Sequence, residues 1–470
     1  MEETSNSQAR ILSRICHLSM GWTGKLKQKL IYVRTFGCQM NVHDSEQLVS
    51  VLSAEGYVST DRVEQADLIV VNTCSIRAKA AQKVYSELGR FKEMKRRRPG
   101  LRIAVGGCLA QQKGSELLAM APHVDLVFGT HRIADVPELL ARRERSGASV
   151  VETAFRERIP SLGIFAPPAA GAVSAYVTIM QGCNNFCAYC VVPFLRGREE
   201  SRPARDILEE IRLLAANGVR EVTLLGQNVN AYGARSDAGA DFPGLIRMVA
   251  TIDGIERIRF TTSHPKDLSE RLIRCFGDVA SLCEHIHLPV QSGSDRVLAR
   301  MNRGYDRDGY LERVRQLREV CPRIAITSDV IVGFPGETEA DFQETLDLME
   351  KIRFDNLFSF KYSPREGTAA RNDPDQIPED VKAKRLKILQ DLQNLHSAER
   401  NRNEVGRTED VLVEGFSRNS SRDLTGRTRG NKIVNFPGER CWIGRTVRCR
   451  ITRAFLHSLR GELLAPEVGS

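Results

Sequence analysis

Residues 175–190 read AYVTIMQGCNNFCAYC, an apolar run of strand length that breaks at Gly182 and delivers Cys183, Cys187 and Cys190 within eight residues. Three thiolates on so short a loop can each hold one iron of a cubane 4Fe-4S cluster, and the fourth iron then has no cysteine near it. Such an iron is an open reaction site. A tetrahedral structural zinc would want a fourth Cys or His close by, yet no His lies between His131 and His264.

Downstream of this stretch, five more strand-like runs alternate with helical patterns: EVTLLG (221–226), RIRFTT (257–262), HIHLPV (285–290), RIAITSDVIVG (323–333) and NLFSFKY (356–362). ARDILEEIRLLAANG (204–218) is a representative helix, with Gly218 as its stop signal. Six βα units are too few to close an eight-stranded barrel, so the expectation is an open partial (β/α)6 barrel over 173–403, with its site at the carboxyl ends of the strands.

Upstream, residues 146–172 read as a linker, rich in Ala, Pro and Gly around PPAAGA (167–172). Residues 29–145 read as an α/β domain with a parallel sheet. Its strands are LIYVRTF (30–36), ADLIVVN (66–72) and RIAVG (102–106), followed by helices near 44–54, 76–95 and 110–121. Cys38, Cys74 and Cys108 each fall just past the carboxyl end of one of these strands. That is the edge where open α/β sheets bind ligands, so three sequence-distant thiols are expected at one site.

A charged helical stretch from about Pro378 to Glu404 closes the barrel unit, and 404–468 changes character. RTEDVLVEGF (407–416), GRTRGNKIVNF (426–436) and GRTVRCRITRAF (444–455) are short strands between Gly-containing turns, which suggests a small β barrel. Residues 401–460 carry 13 Arg plus Lys against 6 Asp plus Glu, so +7 of the chain's net +9 sits there. A basic barrel with Phe416, Phe436, Trp442 and Phe455 available fits RNA binding, since cations neutralise phosphates and aromatics stack on bases.

The 470 residues, 41% hydrophobic and 27% charged, are those of an ordinary globular protein and exclude wholesale disorder, collagen and coiled coil. No run of about 18 apolar residues occurs, so no bilayer-spanning helix is expected. Residues 1–28 lack the apolar core of a secretory signal and read as a flexible extension, though basic spacing leaves an organelle-targeting reading open. Twelve cysteines are too sparse for a disulfide scaffold, and the compartment should be reducing and cytoplasmic. Arg196, Arg198 and Arg202 follow the cysteine loop and are placed to bind a carboxylate or a phosphate. His285 and His287 share one face of a strand, without carboxylate or Cys spacing that would make them metal ligands.

CxxxCxxC after a first barrel strand, with Tyr189 before the last Cys, resembles the radical S-adenosylmethionine superfamily. The resemblance implies that the free iron is chelated by the amino and carboxylate groups of S-adenosylmethionine, whose cleavage yields a 5'-deoxyadenosyl radical. TFGCQMN (35–41), VNTCSIR (71–77) and GGCLAQ (106–111) resemble the amino-terminal domain of methylthiotransferases. Further matches are CVVPFLRGREESRP (190–203), LLGQNVNAYG (224–233), TTSHP (261–265), LPVQSGSDRVLARMNRGY (288–305), SDVIVGFPGET (328–338) and a TRAM-like carboxyl-terminal domain.

The chain is thus similar to the methylthiotransferase family over about residues 29–465. That implies a second 4Fe-4S cluster on Cys38, Cys74 and Cys108, and S-adenosylmethionine as both methyl donor and radical source. GCQMN, PFxRGRExSRP and LTGRTRGNKIVNF (424–436) are most similar to the branch acting on carbon 2 of isopentenyladenosine at tRNA position 37. Its implied partners are tRNA, an electron donor such as a flavodoxin or ferredoxin, and a sulfur source, with the chain a monomer and no membrane. Gln227, Asn228, Ser263, Gln291, Ser292 and Asp329, at or just beyond strand ends, are expected to contact S-adenosylmethionine or the target base.

Relatives that act on threonylcarbamoyladenosine in tRNA or on a ribosomal-protein aspartate define the alternative within the family. A non-catalytic iron-sulfur RNA-binding protein is the alternative from another class. Glu366 in YSPREGTAA (362–370) departs from the family's usual Pro, which puts local loop geometry in question.

Overall fold

The computed structural model describes residues 28–74, 78–156, 171–234, 238–418 and 420–464. The expected extension, 1–28, lies outside them except for Gln28.

Six consecutive apolar or small residues in LIVVNT make β3 (Leu68–Thr73) a strand buried along its entire length. Leu68 and Val70 face one core with Leu48, Leu52, Val136 and Leu139; Ile69 and Val71 face a second with Val84, Leu88, Phe91 and Leu117. Period-two alternation with both faces buried is the signature of a parallel sheet covered by helices on each side. The sheet has six strands in the order β2-β1-β3-β4-β5-β6, all parallel. They are β1 (Lys29–Thr35), β2 (Tyr57–Ser59), β3, β4 (Arg102–Gly107), β5 (Leu126–Phe128) and β6 (Val150–Glu152). The sequence reading anticipates β1, β3 and β4 only. The other three are three residues long, too short to display a period. β6 also corrects the expected linker 146–172, since it pairs with β5 at the sheet edge.

Helix α1 (Gln39–Ala54) starts five residues before its expected beginning, directly after Cys38, whose backbone is extended at φ −96° and ψ −178°. Helix α2 is Ala78–Arg97. The expected helix 110–121 is two short ones, α3 (Cys108–Lys113) and α4 (Ser115–Met120), broken where Gly114 turns to φ +47°. Helix α5 (Val136–Ser146) ends on left-handed Gly147.

The barrel unit contains the six expected strands in two parallel trios, β11-β10-β7 and β12-β13-β14. These are β7 (Ser174–Thr178), β10 (Glu221–Leu225), β11 (Arg257–Phe260), β12 (His285–His287), β13 (Ala325–Val332) and β14 (Asn356–Lys361). An Ile258–Leu282 bridge joins the trios. The small antiparallel pair β8 (Met180–Gln181) and β9 (Glu200–Ser201) closes the base of the cysteine loop. Around this arc lie α6 (Val192–Arg196), α7 (Ala204–Ala216), α8 (Phe242–Val249), α9 (Glu270–Asp278), α10 (Asp295–Arg300), α11 (Arg307–Val320), α12 (Glu339–Ile352) and α13 (Glu379–Arg402). One apolar core fills the space between strands and helices.

The carboxyl-terminal unit has five strands, β15 (Thr408–Phe416), β16 (Asp423–Thr428), β17 (Ile433–Pro437), β18 (Thr446–Ala454) and β19 (Leu459–Leu463), closed into a mixed barrel in the order β15-β16-β17-β19-β18. It is seated on the start of β11. Arg257 donates to the carbonyls of Arg427 (2.7 Å) and Asp410 (2.9 Å). Arg259 donates to those of Thr428 (2.7 Å) and Arg429 (2.8 Å), and to Glu221 (2.9 Å). Both arginines are buried, so RIRF encodes a domain joint as well as a strand. Phe416 and Phe455 are exposed on this barrel, whereas Phe436 is fully buried in its core and is corrected from a stacking candidate to a packing residue. Among the described residues no helix is long and apolar enough to cross a membrane.

Candidate active site

Cys183, Cys187 and Cys190 lie on the loop after β8, at the carboxyl end of the first barrel strand. Gly182 has φ +79°, and a Cβ there would fall 2.0 Å from the Arg198 carbonyl oxygen, so only glycine passes. Its N–H donates to Gln227 Oε1 at 2.5 Å, which ties the loop to the end of β10. Asn302 Nδ2 donates to the carbonyls of Asn185 (3.2 Å) and Phe186 (3.1 Å), and Ala188 is held by the Met301 carbonyl (2.9 Å).

Arg303, only 4% exposed, is the brace beneath this loop. It donates to Cys187 Sγ (3.3 Å), Tyr189 Oη (3.2 Å), Tyr305 Oη (2.9 Å) and the Pro289 carbonyl (2.9 Å). No individual role was assigned to it from sequence, although MNRGY (301–305) carries the signal. Burial pushes the Cys190 thiol up to about 12, with Cys187 and Cys183 adding to the effect, and burial also raises Cys183. Thiols crowded in a dry site ionise together only when a cation is supplied.

The amino-terminal cysteines follow β1, β3 and β4, three adjacent strands, at one sheet edge. A buried amide pair fixes their loops. Asn72 Nδ2 donates to the Asn41 carbonyl and Ser45 Oγ, both at 2.9 Å, and Asn41 Nδ2 donates to Asn72 Oδ1 and the Thr73 carbonyl, both at 3.3 Å. Asn41 Oδ1 accepts from the Cys38 N–H at 3.4 Å and its thiol at 3.5 Å. A Cβ on Gly37 would lie 2.9 Å from the Cys74 Cβ, and one on Gly107, at φ +87°, 2.4 Å from Asn72 Oδ1. Asn41 of GCQMN and Asn72 of VNTC act as loop locks, a role visible only in three dimensions.

The two cysteine groups meet across a domain contact. Cys108 packs with Val191 and Leu195, one and five positions after Cys190. Arg196, 3% exposed, donates to Asp44 Oδ2 of α1 at 2.6 Å. Burial works against its charge, but Asp44, Cys108 and Cys38 hold its pKa above the ordinary guanidinium value. Its Nη1 is buried without a hydrogen-bond partner. Thr130 Oγ1 donates to the Leu195 carbonyl (2.7 Å), and His131 Nε2 meets the Arg196 carbonyl (2.9 Å). Of the other two arginines singled out, Arg202 is taken by Glu210 (2.8 Å) and the Thr178 carbonyl (2.5 Å), and Arg198 is exposed.

Among the described residues no three His, Cys, Asp or Glu side chains converge on one point as they would around a single ion. A multi-iron cluster takes one thiolate per iron and so suits thiols spread over a loop or over three strand ends. Buried polar atoms without partners mark the remaining wall: Asn228 Oδ1, Ser263 Oγ and His264 Nε2. The other end of Asn228 donates to Asp267 at 2.7 Å. His264, missed as an individual residue although TTSHP contains it, is held neutral with a pKa of about 2 by burial, with Arg303 and Lys266 adding to the effect.

Thr262 at φ +68° and Gln291 at φ +73° sit in left-handed backbone near strand ends. Strain of this kind persists only where the surrounding structure over-determines it. Ser292, expected to contact S-adenosylmethionine or the target base, is buried beside α12. Its hydroxyl lies 3.4 Å from Thr345 Oγ1 of α12 and accepts the Ser294 N–H at 3.2 Å. Asp329 stands deeper in the barrel, 3.5 Å from His287 Nε2.

Three family models match in series: the uncharacterized protein family UPF0004 at residues 30–129, the radical SAM superfamily at 177–349 and the TRAM domain at 402–464. A tRNA-2-methylthio-N(6)-dimethylallyladenosine synthase of Syntrophus aciditrophicus is 58% identical over 450 residues, 96% of this chain and 98% of the relative. One from Geobacter sulfurreducens is 53% identical over 439 residues, 93% of this chain and 98% of the relative. The chain belongs to this family of synthases.

Solved structures share the fold at low identity. The radical S-adenosylmethionine methyltransferase TsrM of Kitasatospora setae, with cobalamin and a 4Fe-4S cluster bound, superposes with a TM-score of 0.53 at 14% identity, covering 73% of this chain and 77% of that one. The cobalamin-dependent radical enzyme OxsB gives 0.50 at 13% identity, covering 78% of this chain and 56% of that one. As a radical SAM family, the synthase family uses S-adenosylmethionine and iron-sulfur chemistry.

Proposed function

We propose that this chain methylthiolates carbon 2 of N(6)-dimethylallyladenosine at tRNA position 37, using two 4Fe-4S clusters, one on Cys183, Cys187 and Cys190 and one on Cys38, Cys74 and Cys108. The observation that supports the two-cluster reading is the contact of Cys108 with Val191 and Leu195, which brings the strand-end cysteines against the segment that follows Cys190. With a cluster held by Cys183, Cys187 and Cys190, S-adenosylmethionine would supply a methyl group in one use and radical, hydrogen-abstracting chemistry in the other.

The protein's own groups do the rest. Gly182, Asn302 and Arg303 hold the cysteine loop in one conformation, so that the reacting atoms are positioned before substrate arrives. Asn228, Ser263 and His264 offer unsatisfied polar atoms to the amino acid and ribose ends of S-adenosylmethionine. His264, neutral at working pH, can accept a hydrogen bond but carries no charge to repel a sulfonium. Arg196 fixes the separation of the two thiol groups through Asp44. The exposed Phe416 and Phe455 and the basic surface of the tail barrel bind tRNA. A low-potential electron donor and a sulfur source complete the reaction, in the cytoplasm.

The test is mass spectrometry of tRNA nucleosides from cells with and without this gene. Loss of the methylthio product with accumulation of isopentenyladenosine is expected, with no rescue by Cys183→Ala. In purified protein Cys183→Ala should end cleavage of S-adenosylmethionine, whereas Cys74→Ala should cleave it and transfer no sulfur. Full methylthiolation by Cys74→Ala protein would sink the two-cluster mechanism. An unchanged nucleoside profile would turn the reading toward threonylcarbamoyladenosine or a ribosomal-protein aspartate.

A further inference from the structure

Strand β14 ends the barrel arc, and its side chains divide cleanly. Leu357 belongs to the apolar core, Ser359 Oγ meets Gln390 of α13 at 3.2 Å, and Lys361 pairs with Glu379 of α13. Because successive residues of a strand point to opposite faces, Asn356, Phe358 and Phe360 project away from the helices into the open barrel. Phe358 is 50% and Phe360 40% exposed. In register beside them on β13 are Thr327, Asp329 and Ile331, which pair with Asn356, Phe358 and Phe360 respectively. The ring of His287 on β12 stands edge-on to Phe358 at 6.1 Å, and His287 Nδ1 lies 3.0 Å from Thr327 Oγ1.

Single exposed apolar side chains are ordinary on a protein surface. A contiguous apolar strip facing a cleft is not, and on an edge strand it is a liability that a function must offset. This strip runs toward the carboxyl ends of β13 and β14, the barrel end that also carries the cysteine loop. It is bordered on its inner side by one carboxylate, Asp329, and one imidazole, His287.

We propose that Ile331, Phe358 and Phe360 form the seat of the dimethylallyl group, and that Asp329 accepts a hydrogen bond from the N6–H of the same adenine. The inference rests on the function proposed above and deepens it by naming what selects the modified base. A branched five-carbon chain gains from apolar burial against the strip. A threonylcarbamoyl group on the same nitrogen would bring its carboxylate to two phenyl rings and a second carboxylate, a placement that desolvation and like charge both oppose. An unmodified adenosine reaches Asp329 but leaves the strip bare.

The experiment is equilibrium binding of fluorescent anticodon stem-loops to the full-length holoenzyme. They carry isopentenyladenosine, adenosine or threonylcarbamoyladenosine at the target position. Wild type is expected to prefer the isopentenyl stem-loop over the adenosine one by at least about tenfold. Phe358→Ala/Phe360→Ala should erase most of that preference while still binding the adenosine stem-loop, which reports an intact fold. Ile331→Ala, a smaller truncation on the neighbouring strand, should cost about fivefold of the preference by itself, and Phe360→Leu should keep most of it. Undiminished preference in both the double variant and Ile331→Ala overturns the assignment of the seat. Wild-type protein that leaves the isopentenyl stem-loop without a methylthio group overturns the functional reading instead, so the two failures are distinct.

Discussion

Removing the Asp44 carboxylate tests whether the two halves of the site are held by a buried charge pair. Asp44→Ala leaves the Arg196 guanidinium inside the contact, 3% exposed, with Nη1 already lacking a partner and Nη2 newly orphaned from its 2.6 Å bond. Breaking a buried pair from one side costs about 3–5 kcal/mol, because the surviving charge stays desolvated. Since 1.4 kcal/mol is tenfold, that is on the order of a hundredfold to a thousandfold or more in the balance between docked and opened forms.

Replacing both partners with apolar side chains of similar length, Asp44→Leu/Arg196→Met, should recover most of the loss, since an apolar replacement of a buried pair is often neutral or better. Hydrogen exchange of peptides from α1 (Gln39–Ala54) and α6 (Val192–Arg196) reports the opening free energy directly. Faster exchange in Asp44→Ala, restored in the double variant, is the expected pattern. Methylthiolation should fall with the opening, while S-adenosylmethionine cleavage persists. Equal exchange in all three proteins, within about 0.5 kcal/mol, would refute the pair as the clamp.

Two further outcomes follow from buried cations and bases near the loop. Arg303 donates to Cys187 Sγ, and a cation there would favour the reduced, more negative state of the cluster proposed on Cys183, Cys187 and Cys190. Arg303→Leu should therefore lower the midpoint potential by on the order of 50 mV, given 59 mV per tenfold for one electron; an unchanged value in a titration followed by electron paramagnetic resonance would refute the role. His264 has a pKa of about 2 in the fold against about 6.5 unfolded. Between those values only the unfolded chain takes the proton, so its contribution is complete above pH 6.5 and is lost as pH falls, at about 1.4 kcal/mol per pH unit. His264→Gln should flatten the decline in urea midpoint between pH 6.5 and 5 by about one proton, and an equally steep decline in the variant would contradict this.

The asymmetry between what was read and what was missed has a physical basis. Long apolar runs such as ADLIVVN and RIAITSDVIVG announce strands because burial on both faces demands unbroken hydrophobicity. β2, β5 and β6 at three residues each carry no such demand. The helix of residues 110–121 looked continuous because Gly114 is tolerated within a helical pattern; its φ of +47° emerges only when the chain is packed. Which way the Ser292 hydroxyl turns is likewise set by a distant partner, Thr345, 53 residues away.

Residue spacing alone places Cys183, Cys187 and Cys190 together, because three thiols within eight residues share a loop whatever the rest of the chain does. Strand-end placement gave the second group, because parallel strands bring their carboxyl ends to one edge. Neither could give the contact of Cys108 with Val191 and Leu195, the Asp44–Arg196 clamp, the four-way brace of Arg303 or the aromatic strip of β14. Each of those joins residues tens to more than a hundred positions apart, or depends on which face of a strand is turned inward. Local pattern encodes the elements and the reactive groups; distance, partner and orientation are fixed only when desolvation forces those elements against one another.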